Sequence, residues 1–252
     1  MSKSLTLYDI PSTLLNNAWS PNGNKVRYVI NYKGLPYRTE WVEFPHIEAL
    51  YKKLGVQASA TKADGITPHY TLPLLYDPST GAFVSDSAAI VRYLDKIYPE
   101  TPTVIPAGTD AFHYAFHEAL VRSQSGALRK LVGIPATFLL NPVSEEYYRR
   151  TREANAFGGR KLEDVSPKGE DRKREWARVK EDLGKVNAWY GKGDRYVMGD
   201  TVSYADFTVS ASILWIRTVC GADSEEWKDI LTWHEGRWGT LVKDFEKYET
   251  VL

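Results

Sequence analysis

Residues 70–75 read Tyr70-Thr71-Leu72-Pro73-Leu74-Leu75. The run is apolar and aromatic, and turn residues follow it, so a β-strand is expected over Tyr70–Tyr76. Pro73 removes one donor from the ladder of that strand. Two local structures meet the demand. A cis Leu72–Pro73 bond would turn the Leu72 N–H and C=O outward, free to pair with an extended peptide. A trans proline would instead open an edge strand. The neighbouring residues leave both open.

Working outward, Asp77–Gly81 is turn-like, Ala82–Val84 reads as a partner strand, and Ser87–Tyr98 as a helix with Ile90, Val91, Leu94 and Ile97 inward. Upstream, residues 56–69 mix Gly, Asp, Thr and Pro and read as a loop. Pro45–Leu54 places Ile47, Leu50, Tyr51 and Leu54 at helical spacing, closed by Gly55. Tyr37–Phe44 alternates as a strand. Pro21–Asn31 is a helix stopped by Gly34-Leu35-Pro36, and Leu5–Ile10 is a short strand. The expected order is β-α-β-α-β-β-α. Pro99, Pro102 and Pro106 then mark a linker, and helical patterns follow over about 110–132, 144–160, 170–190, 203–219 and 226–247. An α/β domain over residues 1–98 and an all-α domain over 110–252 are expected.

The composition narrows the function. Across 252 residues, 32 basic side chains balance 32 acidic ones. A dedicated nucleic-acid binder usually carries a basic field, so none is expected. Cys220 is the one cysteine. It excludes an intramolecular disulfide, a CxxC redox pair and a cysteine-rich zinc site. No apolar run reaches the roughly 18 residues of a membrane span, and Met1–Leu7 has no signal-like core. A soluble cytoplasmic protein is expected. Eight Trp and 16 Tyr suit a core, and equally a site for flat apolar ligands.

Two further stretches carry chemistry. In Trp19-Ser20-Pro21-Asn22, Ser20 stands where a helix cap belongs and Pro21 in the first turn. A hydroxyl there caps the helix. It also stands where backbone N–H groups and the dipole favour an anion, and a thiolate accepting its hydrogen bond would have a lowered pKa. In Ser85-Asp86-Ser87, capping is again one reading. The other is amino-acid recognition, with Asp86 on an ammonium and Ser87 with helix N–H groups on the carboxylate.

Ser-Pro near residue 20, a strand proline at Pro73 and Asp86-Ser87, followed by a helical domain, resemble the glutathione transferase superfamily over nearly the whole chain. The resemblance implies a thioredoxin-like first domain and an all-helical second one. It implies that Ser20 is the catalytic hydroxyl of a serine-type member and that Pro73 is the cis-proline. Leu72 then pairs with the cysteinyl part of glutathione, and Asp86 and Ser87 bind the γ-glutamyl end. Ser203-Tyr204-Ala205-Asp206 resembles the capping box that starts a buried helix of the second domain.

The finer resemblance is to the fungus-specific class FuA, related to bacterial lignin β-etherases. It rests on Leu5–Ile10, Trp19–Asn22, Lys25-Val26-Arg27-Tyr28, Tyr32–Tyr37 and Trp41-Val42-Glu43. The class pattern has Trp before the lysine, where this chain has Asn24. The class implies a weak to moderate transferase that also binds polyphenols, and the family implies a homodimer; conjugation of hydrophobic electrophiles in detoxification, with peroxidase activity, is the expected function. A non-catalytic ligandin that sequesters aromatic compounds is the alternative, and a regulatory transferase-like protein a third. Glutathione is the expected co-substrate, and no metal is expected. Ser20 in the cysteine-type position excludes a mixed disulfide there.

The apolar ligand site is expected to involve Trp19, Phe112 and Phe116 in the cleft between domains; ordinary core packing explains the two phenylalanines equally. His113 and His117 stand at metal-ligand spacing, but no third ligand is evident, so they are expected to flank the cleft. The basic runs at 149–152 and 172–174 are interspersed with acids and read as solvated helix faces. Lys52 or Lys53 can reach the glycyl carboxylate of glutathione, or simply complement the end of its helix.

Overall fold

The computed structural model describes residues 4–62, 64–124 and 126–252. Its central sheet has the order β2-β1-β5-β6, formed by Leu5–Asp9 (β1), Tyr37–Trp41 (β2), Leu74–Asp77 (β5) and Ala82–Ser85 (β6). β1 runs parallel to β2 and antiparallel to β5, and β5 and β6 form a hairpin. Pro21–Tyr32 (α1) and Ser87–Ile97 (α3) pack on each other. Ile47–Leu54 (α2) belongs to a separate cluster with Leu72 and Leu74. Leu7, Val26, Val29, Leu75, Ile90 and Leu94 fill the core beneath α1 and α3. This is the thioredoxin-like α/β half, and the α/β-plus-helical fold class holds.

Three details differ from the periodicity. The expected strand over 37–44 ends at Trp41, because Phe44–His46 forms a 3-10 turn that leads into α2. The strand expected over 70–76 starts at Leu74, after Pro73 has broken the ladder. The segment expected as loop carries a small hairpin, Ala60–Thr61 (β3) with Pro68–His69 (β4). Strands of two residues have no alternation to read.

The helical half follows from Asp110. Asp110–Gln124 (α4), Pro142–Ala156 (α5), Leu162–Val165 (α6), Gly169–Asn187 (α7) and Tyr204–Cys220 (α8) are joined by Glu225–Thr232 (α9) and Arg237–Phe245 (α10). α8 is buried along most of its length and packs against α1. Tyr28 stacks on Phe207 there, ring centroids 6.0 Å apart. The helix expected over 226–247 is broken, because His234 and Glu235 have φ of 53° and 61°. The break lets His234 Nδ1 accept the indole N–H of fully buried Trp238 at 2.7 Å. A buried indole without an acceptor would cost about 1–3 kcal/mol.

The final residues cover the sheet edge. Thr39 N–H donates to the Leu252 carbonyl at 2.6 Å and Tyr37 Oη to the Thr250 carbonyl at 2.7 Å. An edge strand left bare is a template for wrong pairing.

Candidate active site

Strand direction gathers the candidate residues. The end of β1, the start of β5 and the end of β6 share one margin, through the register Tyr8↔Leu74 and Leu74↔Ser85. Leu72-Pro73 directly precedes β5 and Asp86-Ser87 directly follows β6, while Ser20 stands at the head of α1, after the loop that leaves β1. Ser20 is the N-cap of α1, with extended φ and ψ of −72° and 126°, and is buried. Its Oγ accepts the Gly23 N–H at 3.5 Å, a long contact. Capping engages the oxygen lone pair and leaves the hydroxyl proton free to donate.

The Leu72–Pro73 bond is cis. Among the described residues neither the Leu72 N–H nor its C=O has a hydrogen-bond partner within the chain. Leu72 packs with Trp19, Ile10 and Tyr51. Asp86 caps α3: its Oδ1 accepts from Ala88 N–H at 2.9 Å and Ala89 N–H at 3.0 Å. Its φ is +82°, a conformation that costs an L residue on the order of 1–3 kcal/mol. Capping occupies Oδ1 and leaves Oδ2 outside the cap, so capping and ligand recognition are compatible at this carboxylate. Ser87, the first residue of α3, is buried.

The sequence gives no signal for a polar layer beneath Ser20. Lys25 is only 6 % exposed, and its Nζ donates to Asn22 Oδ1 at 3.0 Å, which brings an ammonium back to the first turn of α1. Burial pushes Lys25 down to about 8, while the Asp86 carboxylate pulls it up. A cation at the positive end of a helix is unfavourable, so this corner has a surplus of positive potential. On another face of α1, Arg27 bridges Asn24 Oδ1 at 2.9 Å and the buried carboxylate of Asp9 at 3.1 Å. Asp9 Oδ1 accepts the Ile10 N–H at 2.8 Å. The i, i+3 pairs Asn22–Lys25 and Asn24–Arg27 were readable in the sequence, but their burial was not.

The three aromatic candidates are distributed over two clusters. Trp19 packs with Leu72, and its indole N–H is buried without a partner among the described residues. Phe116 packs edge-on against Trp189, centroids 5.5 Å apart, with half-exposed Phe112 at 6.1 Å. A cavity of about 350 Å³ lies elsewhere, along the Asn24–Arg27–Tyr28 face of α1, with Leu14, Leu214 and Tyr248 among its walls. Ser20, Leu72 and Asp86 do not line it. His113 is buried, its Nδ1 2.9 Å from the Thr109 carbonyl, and the pKa of His117 is lowered by burial and then by Lys25. Lys52 is paired with Glu48 at 2.6 Å on the exposed side of α2.

Comparison with known proteins matches this chain to one family. The family model for the glutathione S-transferase N-terminal domain matches residues 14–102, and that for the C-terminal domain residues 111–248. The chain is 30% identical to the glutathione S-transferase-like protein ustS of Aspergillus flavus, over 94% of this chain and 88% of that one. It is similar to the glutathione S-transferase CsGST63524 of Ceriporiopsis subvermispora, solved in complex with glutathione: 45% identity, TM-score 0.94, 99% of each chain covered. It is also similar to glutathione transferase GSTFuA3 of Phanerochaete chrysosporium, with 40% identity, TM-score 0.92 and 100% of each chain covered.

Proposed function

The chain belongs to the glutathione S-transferase family, and from that premise we propose that it is a serine-type glutathione transferase in which Ser20 activates the thiol. Glutathione lies extended along the margin formed by Leu72, Pro73, Asp86 and Ser87. The Leu72 backbone pairs with its cysteinyl part, Asp86 takes its γ-glutamyl ammonium, and Ser87 with the α3 N–H groups takes the neighbouring carboxylate. Residues 1–98 supply this site, and residues 110–252 supply the second-substrate wall.

The observation that carries the reading is the Ser20 hydroxyl. It is buried at the head of α1, and its oxygen is already capped from Gly23, so its proton is available to a sulfur. The thiol proton leaves to solvent, and Ser20 donates to the resulting thiolate. A hydrogen bond to a charged acceptor contributes about 1.5–3 kcal/mol. The helix dipole and buried Lys25 act in the same direction. The thiolate then attacks an electrophilic carbon, forming a C–S bond as the leaving group departs with its electron pair. Ser20 is not itself a nucleophile. The same thiolate reduces a peroxide, with a second glutathione completing the disulfide.

A second reading, storage of aromatic ligands, draws on the cavity beside α1, whose volume matches a small ring system. The two readings separate experimentally. Turnover with glutathione and an aryl halide or cumene hydroperoxide, measured beside displacement of a fluorescent dye by polyphenols, decides between them. Displacement without turnover overturns the transferase reading. We expect a homodimer, checked by light scattering.

A further inference from the structure

Tyr51 lies on α2 and is fully buried. Its hydroxyl oxygen is 2.6 Å from the Thr71 carbonyl oxygen and 2.6 Å from Ser85 Oγ. The carbonyl has no proton to give, so Tyr51 donates to Thr71 and accepts from Ser85. Ser59 Oγ, 3.1 Å from Ser85 Oγ, competes for the same Ser85 proton at the longer distance. The Tyr51 ring is held edge-on against Tyr70, centroids 5.3 Å apart. Burial pushes the phenol above its ordinary value, which keeps the donor protonated through the neutral range.

The position of this hydroxyl matters more than its strength. Thr71 immediately precedes Leu72, and Ser85 immediately precedes Asp86. The β5–β6 ladder ends at the pair Leu74↔Ser85, and Pro73 has no N–H to extend it. Beyond that pair the two segments have no backbone ladder between them. Tyr51 bridges the gap from the opposite side of the sheet.

We propose that Tyr51 is a positioning residue for glutathione: its hydroxyl fixes the distance between the Leu72 backbone, which pairs with the cysteinyl unit, and Asp86, which holds the γ-glutamyl ammonium. This rests on the glutathione site proposed above. Tyr51 does not touch the ligand. It sets the spacing that distinguishes a γ-glutamyl peptide from a shorter one. Tyr51→Phe keeps the ring and removes both hydrogen bonds.

The test is calorimetric titration of the full chain with glutathione, γ-glutamylcysteine and cysteinylglycine, each reduced. In Tyr51→Phe the Kd for glutathione and for γ-glutamylcysteine rises about tenfold, because binding must then restore the spacing that Tyr51 holds in the free protein. The Kd for cysteinylglycine, which lacks the γ-glutamyl unit, changes less than about twofold. The KM for glutathione rises in parallel, while kcat at saturation and the pKa of the bound thiol hold, because Ser20 stands on another element. Ser85→Ala reproduces the pattern and Ser85→Thr restores wild-type affinity; this pair decides the matter if Tyr51→Phe does not fold. Unchanged glutathione affinity in Tyr51→Phe, or an equal loss for all three peptides, overturns the proposal while leaving the site intact. Failure of the wild-type chain to bind any of the three overturns the glutathione reading itself, and the proposal with it.

Discussion

Gly23 rests directly on the carboxylate of Asp9: a Cβ at this position would come within 2.5 Å of Asp9 Cγ and 2.6 Å of Oδ1. Asp9 is in turn the buried partner of Arg27, with both side chains at most 2 % exposed. The head of α1 is therefore set by a backbone-to-carboxylate approach that only glycine permits. Helix propensity alone predicts that Gly23→Ala stabilises by about 1 kcal/mol. The contact predicts the opposite sign. Displacing Asp9 disturbs a buried ion pair whose rupture costs about 3–5 kcal/mol. Gly23→Ala is expected to destabilise by at least about 2 kcal/mol, and Asp9→Ala by more. Urea unfolding of both variants checks this.

Ser20→Ala separates the two roles of that hydroxyl. The capping bond to Gly23 is long at 3.5 Å, so its loss is expected at the low end of the capping range, about 0.5 kcal/mol. The activation role predicts a larger effect elsewhere. The pKa of bound glutathione rises by about one to two pH units, and conjugation near neutral pH slows in proportion to the lost thiolate. Ultraviolet thiolate absorbance titrated on the complex, with turnover in the same buffers, reads both. A thiol pKa equal to that of the wild type would leave Ser20 as a cap and nothing more.

What the sequence disclosed and what it hid divide along a physical line. Ser20, Pro73 and Asp86 were visible because turn and cap chemistry acts within a few residues, and Pro73 constrains its own backbone. The residues alone did not decide between cis and trans at Pro73. The capping box at Ser203 and Asp206 was visible for the same local reason and is present. Lys25 was hidden: a lysine in a helix reads as a solvated charge, and only the docking of α1 against the rest of the chain buries it. Tyr51 counted as one apolar position of an amphipathic helix, and its hydroxyl partners lie 20 and 34 residues away. Trp19 and Phe116 were grouped because both are large and near a presumed cleft, yet they occupy different clusters. The break at His234 was hidden because two non-glycine residues, His234 and Glu235, adopt positive φ there, a conformation that residue type does not announce.

Lys25 makes stability depend on pH in a direction unusual for a lysine. Burial holds its folded pKa near 8, against roughly 10.4 unfolded. Between those values the unfolded chain binds the extra proton, so stability rises with pH across the window from about 8 to 10.4. Below 8 the ammonium is buried in full and the cost, on the order of 3 kcal/mol, is constant. Lys25→Met is expected to be more stable than the wild type at pH 7, with the gap shrinking as the pH climbs through that window. Chemical unfolding at pH 7 and pH 10 tests it, and glutathione binding by the same variant shows whether the site uses the charge. A gap of the same size at both pH values would mean that the ammonium is not the source of the effect.

Asp206 tests how the buried helix α8 begins. Its carboxylate accepts from Val197 N–H at 2.7 Å, and from Ser203 N–H and Ser203 Oγ at 2.9 Å each. Burial still pushes its pKa up to about 6, against the pull of those donors. The folded state therefore binds the extra proton between about 3.8 and 6, and the Asp206 contribution favours folding more as the pH falls through that range. Asp206→Ala strands three buried donors at once, each worth about 1–3 kcal/mol when left unmade. A loss of several kcal/mol and poor yield of folded protein are expected, since α8 is the helix against which α1 packs. Asp206→Asn keeps one acceptor oxygen and is expected to lose about half as much; it also removes the Asp206 contribution to the pH dependence between about 3.8 and 6. Thermal unfolding of wild type and Asp206→Asn across that interval reads the dependence directly. If the two curves stay parallel, the Asp206 carboxyl titrates alike in the folded and unfolded states and carries no proton linkage.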